Sequence, residues 1–239
     1  MSHAISIVMP AFNEAKNIEK AILDFKNIPE VTEIIVVDNN STDGTAEIAE
    51  RTGAKVVKEP RQGYGYACRR GLSEATGDII FLVESDQTFF AKDIYKFLPY
   101  LDDFDMVLGT RTCKQLVKPG AKMGWFLRLG NIFLAKMIEL LFYEHEVRLT
   151  DVGCTYRAIK SRALKKIIKK FEVGGNHFSP EMIVEAMCNN LKIVEIPVHY
   201  GKRKGESKIT SNFRKSFILG LKMISLILRK RMKYAFRKK

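Results

Sequence analysis

Glu84 and Asp86 flank Ser85 directly after the apolar run 79–83. Carboxylates that leave a buried strand together are hard oxygen donors. Mg²⁺ or Mn²⁺ takes one or two such ligands and completes its shell with substrate phosphate and water. Asp86 is the first choice as metal ligand; Glu84 reads as a contact to ribose or to metal-bound water, and a solvated acidic turn is the alternative for both. A second acidic strand end, Asp38, opens the run Asp38-Asn39-Asn40-Ser41-Thr42-Asp43-Gly44-Thr45. Its carboxylate is placed to accept bonds from a base or ribose, whereas residues 41–45 read as a capped turn rich in N-cap side chains. Gly63-Tyr64-Gly65-Tyr66, ahead of a helix, lets backbone approach a ligand closely. Arg203-x-Gly205-x-Ser207-Lys208 offers cations and a hydroxyl suited to phosphate oxygens, or else a solvated basic loop.

These groups need a scaffold that collects them. Short β-branched runs at 5–9, 34–38, 55–58, 79–83 and 106–109 alternate with helix-period segments at 15–25, 46–52, 66–75 and 93–101. That alternation calls for βαβ units and a parallel sheet, in which ligands bind at the C-terminal ends of the strands. The chemistry-bearing residues all follow such runs. Segment 124–143 is apolar, but Arg128, Asn131, Lys136 and Glu139 fall on one stripe at about 100° per residue, so it reads as an amphipathic helix rather than a membrane span. A helix over 180–190 and a strand over 193–199 follow. The last helix, 213–236, carries an apolar run at 217–228 that Lys222 interrupts and that is too short to cross a bilayer.

The composition excludes several classes. The net charge of +13 suits nucleic acid at first sight, yet residues 201–239 hold 14 of the 40 Lys and Arg and one of the 27 acidic residues, leaving 26 of each sign before them. The globular part is formally neutral, so no nucleic-acid partner is expected. Four scattered cysteines and four scattered histidines support neither a disulfide framework nor a zinc site, and no basic leader precedes the first apolar stretch. A cytoplasmic protein, peripheral on the membrane, is expected.

Taken together, Pro10-Ala11-Phe12-Asn13-Glu14, the Asp38 cluster, residues 63–67, Glu84-Ser85-Asp86, Gly109-Thr110-Arg111 and the 203–208 loop resemble family 2 glycosyltransferases in order and spacing over residues 4 to about 210. Thr150-Asp151-Val152-Gly153-Cys154 and Val194-Glu195-Ile196-Pro197-Val198 are similar to segments of polyprenyl-phosphate and dolichyl-phosphate sugar synthases within that family. The resemblance implies a GT-A fold: an α/β architecture with a mixed, mainly parallel sheet flanked by helices, here followed by the C-terminal amphipathic helix. It further implies a nucleoside diphosphate sugar donor, UDP- or GDP-linked, and inversion at the anomeric carbon. Pro10, Phe12, Glu14 and Asp38 would surround base and ribose, Gly63, Ser85 and Lys208 would line the donor site, Asp86 with Glu84 would hold Mg²⁺ or Mn²⁺, and Arg203 would close over the diphosphate. Two positions depart from the family pattern: Glu84 stands where Asp is usual, and Phe12 replaces a Tyr. A sugar-phosphate nucleotidyltransferase would carry an N-terminal G-x-G-T-R loop where this chain has Pro10 to Glu14.

The expected acceptor is a lipid phosphate such as polyprenyl or dolichyl phosphate. Arg111 is placed to face it, a structural salt bridge being the alternative. If the acceptor were instead a sugar hydroxyl of a glycan or glycolipid, a base would be required, with Asp151 or Glu181 as candidates. A non-catalytic nucleotide-sugar-binding protein is the remaining alternative. The expected organisation is a catalytic domain over 1–212, divided into a donor half, 1–115, and an acceptor half, 116–212, with a basic membrane-surface helix over 213–239.

Overall fold

The computed structural model describes residues 3–121, 125–202 and 213–237. Seven strands form one sheet: β1 (Ile5–Ala11), β2 (Val31–Asp38), β3 (Lys55–Lys58), β4 (Ile79–Leu82), β5 (Met106–Thr110), β6 (Arg157–Lys160) and β7 (Ile193–Pro197), in the order β3-β2-β1-β4-β6-β5-β7. All neighbours are parallel except β6, which runs antiparallel to both β4 and β5. The helices are α1 (Ile18–Lys26), α2 (Thr45–Arg51), α3 (Tyr64–Glu74), α4 (Ile94–Phe97), α5 (Trp125–Leu141), α6 (Ser161–Ile167), α7 (Phe178–Cys188) and α8 (Phe213–Arg237).

Successive residues of a strand face opposite sides, and both sides of this sheet are covered. Val8, Ile35, Val37, Ile80 and Leu82 pack against α3, α5, α6, α7 and α8 on one face. Ile7, Met9, Val36, Phe81 and Val107 pack against α1 and α4 on the other, where Tyr156 lies against Phe97 at 4.9 Å between ring centroids. No helix among the described residues is long and apolar enough to cross a membrane.

One expectation needs correction, and the structure adds to two others. The helix expected over 93–101 is α4 flanked by two 3₁₀ turns, the second containing Pro99, which lacks the N–H that a continuing α-helix requires. β6 and α6 lie in a stretch to which the sequence assigns no element: at four residues, Arg-Ala-Ile-Lys, β6 has no legible alternation of its own. The polar stripe of α5 flanks its buried apolar face, half-buried at Arg128, Asn131 and Glu139 and exposed at Lys136, and it bonds to neighbouring backbone. Arg128 donates to the carbonyl of Thr112 (3.2 Å), Lys136 donates to that of Leu149 (3.1 Å) and Glu139 accepts the Leu149 amide (2.6 Å). Beside it, Leu129, Phe133 and Leu140 of α5 are exposed.

α8 docks on α7 and α5. Met223, Leu226, Ile227, Lys230 and Tyr234 recur at helical spacing on its buried face. β5 and β6 are antiparallel neighbours, so residues 111–156, with α5 inside them, leave and re-enter the sheet at one edge.

Candidate active site

That edge gathers the C-terminal ends of the six parallel strands and, because β6 is reversed, the start of β6. Asp38, at the end of β2, is buried, and one carboxylate oxygen accepts the Ser41 amide (3.2 Å). The residues after it do more than cap a helix. Ser41 Oγ accepts the Asn13 amide (3.0 Å), Thr45 Oγ1 that of Glu14 (2.8 Å) and Asp43 that of Ala15 (3.0 Å), while Asn13 Oδ1 accepts the amide of Thr42 (2.8 Å). The N-cap of α2 is Gly44, and Asp43 Oδ1 accepts the amide (3.1 Å) and the hydroxyl (2.5 Å) of Thr45 at the start of the helix. The cluster also staples the loop after β1 to the loop after β2, with Asn13 and Asn40 in the left-handed region that asparagine tolerates. Burial raises Asp43's carboxyl, but the bonds from the Thr45 hydroxyl and from the amides of Ala15 and Thr45 outweigh it and hold the group below its ordinary range. Pro10 is buried in β1, and Phe12 and Glu14 are half-buried beside this loop.

Asn39 escaped the sequence reading and ties in the glycine loop. Its amide nitrogen donates to the carbonyls of Glu59 (2.8 Å) and Arg61 (2.9 Å), and its Oδ1 accepts the Gly63 amide (2.7 Å). Gly63 sits at φ 151°, where a side chain is strained, and a Cβ there would lie 2.3 Å from the carbonyl oxygen of Gly174.

Beyond β4, Ser85 and Asp86 are buried and Glu84 is half-buried. Ser85 donates to the carbonyl of Pro10 (3.3 Å), while Asp86 Oδ1 accepts both the amide (3.0 Å) and the hydroxyl (2.6 Å) of Thr88. Tyr200 joins them. Burial raises its hydroxyl above the usual value, Arg111 opposes this and the charges of Glu84 and Asp86 add to it, and the Arg111 guanidinium lies 5.3 Å from the centre of its ring. Tyr200 is held from both sides, by His199, whose amide donates to Asp93 (2.6 Å), and by Gly201, whose amide donates to Thr88 (2.7 Å).

Arg111 and Asp151, both expected on the acceptor side, form one buried pair. Nε and Nη2 of Arg111 donate to the two carboxylate oxygens at 2.7 and 2.8 Å, and the Arg111 amide adds a third bond at 3.2 Å. Burial works against both charges, and each holds the other: Asp151 lies below the usual carboxylate range and Arg111 well above its ordinary value. Glu195 fixes the same loop by accepting the amides of Thr150 (2.7 Å) and Asp151 (3.0 Å). Beneath it, buried Arg157 donates to the carbonyls of Val152 (2.9 Å), Cys154 (2.8 Å) and Ser179.

Glu181 does not join this group. It is wholly buried, its carboxylate accepts the amides of Glu172 (2.9 Å) and Val173 (3.0 Å) and pairs with Lys230 (3.2 Å), so its place as a base on the acceptor side is corrected to one within the core. Arg203 and Lys208 lie outside the described residues.

Glu84 and Asp86 supply hard oxygen donors of the kind Mg²⁺ and Mn²⁺ prefer, so the donor set fits such an ion shared with substrate phosphate. Among the described residues no group of three or more His, Cys, Asp or Glu could hold a metal by itself.

The chain matches the model of the family described as glycosyl transferase family 2 over residues 6–168. A protein of Mycobacterium tuberculosis named an uncharacterized glycosyltransferase is 32% identical over 219 residues, 90% of this chain and 94% of that protein. A dolichyl-phosphate hexose transferase of Haloferax volcanii is 26% identical over 230 residues, 96% of each. Among solved structures, glucosyl-3-phosphoglycerate synthase from Mycobacterium tuberculosis in complex with UDP superposes with a TM-score of 0.74 at 20% identity, covering 96% of this chain and 80% of that one. The same enzyme with Mn²⁺, UDP-glucose and phosphoglyceric acid gives a TM-score of 0.72 at 19% identity, again over 96% and 80%. These superpositions identify the sheet and its flanking helices as a GT-A fold. Matched by the family model over most of its length, and by a relative above 30% identity along nine-tenths of it, the chain belongs to glycosyl transferase family 2.

Proposed function

We propose that this glycosyltransferase moves a hexosyl or N-acetylhexosaminyl group, with inversion, from a UDP- or GDP-sugar to a lipid phosphate of the polyprenyl or dolichyl kind. One observation carries the acceptor reading: the carboxylates offered as bases for a hydroxyl acceptor are both engaged, Asp151 by Arg111 and Glu181 by two amides and Lys230. A hydroxyl needs a positioned base, whereas a phosphate monoester carries roughly −1.5 to −2 charge at pH 7 and attacks unaided. The name of the Haloferax relative agrees with such an acceptor. The UDP-glucose and Mn²⁺ in the mycobacterial complex agree with the donor and the ion.

In this reading residues 1–115 hold the donor and 116–212 the acceptor. Asp38, with Pro10, Phe12 and Glu14 beside it, receives base and ribose. Gly63 brings backbone up to the diphosphate, and Arg203 and Lys208 close over it. Asp86 and Glu84 would hold Mg²⁺ or Mn²⁺, which when bound would supply positive charge against the leaving nucleoside diphosphate. Arg111 uses two of its five side-chain donors on Asp151, and the rest of the fork holds the acceptor phosphate. The test is a panel of UDP- and GDP-sugars offered with polyprenyl phosphate or with glycan and glycolipid hydroxyls. Transfer to the phosphate is expected; transfer to hydroxyls alone overturns the reading.

A lipid acceptor places the site at a membrane, on the cytoplasmic face in this reading. The face of α8 opposite its docked side supports this, since it exposes Phe217, Leu221, Leu228, Met232 and Phe236 beside the exposed cations Lys222, Arg229 and Lys233. Apolar side chains among basic ones suit an anionic lipid surface, each cation adding on the order of 1 kcal/mol. Flotation with phosphatidylserine vesicles is expected to recover the protein at low salt, less of it at high salt, and least for a Phe217→Ser, Leu221→Ser, Met232→Ser variant. Recovery indifferent to both salt and substitution refutes the membrane assignment.

A further inference from the structure

The buried face of α8 carries a charge. Lys230 is 3% exposed, and its ammonium lies 2.6 Å from Glu185 and 3.2 Å from Glu181, donates to the carbonyl of Lys170 (3.2 Å), and has the half-exposed Glu172 at 3.7 Å. Burial opposes the charge, and the carboxylates of Glu185 and Glu181 hold its affinity for the proton above the ordinary lysine value. Glu181 faces two ways. Toward α8 it meets Lys230, and toward the chain ahead of α7 it accepts the amides of Glu172 and Val173.

That segment lies directly on the glycine loop of the donor side. The carbonyl of Gly174 accepts the Tyr66 amide at 3.2 Å. A Cβ on Gly65 would fall 2.5 Å from the Val173 oxygen, and one on Gly174 would fall 2.2 Å from the ring of Tyr66. Surfaces this close leave no slack to absorb a shift, because packed interiors pass strain on. On its far side the loop is held by Asn39, whose Oδ1 accepts the Gly63 amide next to Asp38.

We propose that Lys230 is a positioning residue for the donor site: its ammonium holds Glu181, Glu181 holds residues 172–174, and these set the loop Gly63 to Tyr66 against which the nucleoside diphosphate binds. The inference rests on the reading of that loop as part of the donor site. Without the ammonium, Glu181 and Glu185 would face each other as like charges in a dry pocket, and one of them would take up a proton or swing away. A protonated or displaced Glu181 no longer accepts both amides, and the segment over Gly63 loosens.

The test compares Lys230→Met with Ile227→Ala, which removes buried bulk from the same helix face, an apolar side chain that makes none of the cluster's ion pairs or hydrogen bonds. UDP and GDP binding are measured by calorimetry, and amide hydrogen exchange is followed at Glu172, Val173 and Tyr66. Lys230→Met is expected to weaken the favoured nucleotide by about tenfold and to speed exchange at those amides, while Ile227→Ala lowers the melting temperature and leaves both readouts within about twofold of wild type, because it removes packing but no charge or hydrogen bond from the cluster. Equal nucleotide binding by the two variants, or unchanged exchange at Glu172 and Val173, overturns the proposal. If Lys230→Met does not fold, Glu181→Gln takes its place with the same expected outcomes, since the amide keeps the volume and loses one acceptor. A wild-type chain that binds neither UDP nor GDP overturns the donor-site reading instead, and exchange at the same amides then decides whether Lys230 holds the loop.

Discussion

Replacing Asp86 with asparagine is expected to lower transfer by about 10²–10³-fold, the scale on which one electrostatic group acts on a developing charge. The fold should survive. Asparagine has the same shape and its oxygen still accepts the amide and hydroxyl of Thr88, so the turn after β4 keeps both of its bonds. What is lost is the charge that holds a divalent ion. Excess EDTA should therefore silence the wild-type enzyme to a similar degree, and added Mn²⁺ or Mg²⁺ should restore it. Full turnover in EDTA, or near-normal activity of the variant, would remove Asp86 from the metal site.

Arg111→Met should be the most damaging single change to stability on the acceptor side, by about 3–5 kcal/mol in urea unfolding, because it strands the Asp151 charge in a dry site. The double variant Arg111→Met, Asp151→Leu should recover most of that loss, since replacing a whole buried pair with apolar groups is often neutral. Arg111→Lys should not recover it, because a point charge cannot repeat a two-bond fork. Transfer should stay lost in all three. A pH scan separates the pair further. Asp151's carboxyl is held below its unfolded value, so its contribution is complete above about pH 3.9 and fades as pH falls through the lowered folded value. The double variant lacks that part of acid unfolding. Additive losses from the two single changes would show that the pair is not coupled.

The sheet was legible where strands are continuous apolar runs, as in β1, β2, β4 and β5, because burial on both faces leaves no polar alternation to confuse the period. β6 was not, since its identity as a strand comes from the β4 and β5 backbones on either side of it. The same division runs through the site. Asp38, Glu84 and Asp86 announce themselves as acids ending apolar runs. Asn39, Arg157, Glu195 and Tyr200 act through partners 20 or more residues away in several cases, such as the bond from Asn39 to Glu59, and no local pattern encodes that. Arg111 and Asp151 were each legible as charged residues at a loop, but their mutual fork is a fact of tertiary geometry alone.

The reversal of β6 has a bearing on how such a chain can change its substrate. Because β5 and β6 lie side by side and open at the same edge, the chain between them, which carries α5, is topologically one oversized hairpin loop. Ladder bonds between the two strands do not register what the loop contains, and doubling the length of a flexible loop adds only about 0.6 kcal/mol of closure entropy. A descendant can therefore rewrite the segment proposed to meet the acceptor, lengthening it or trading its helix for another, while the strands that precede Asp86 and end at Asp38 keep their register.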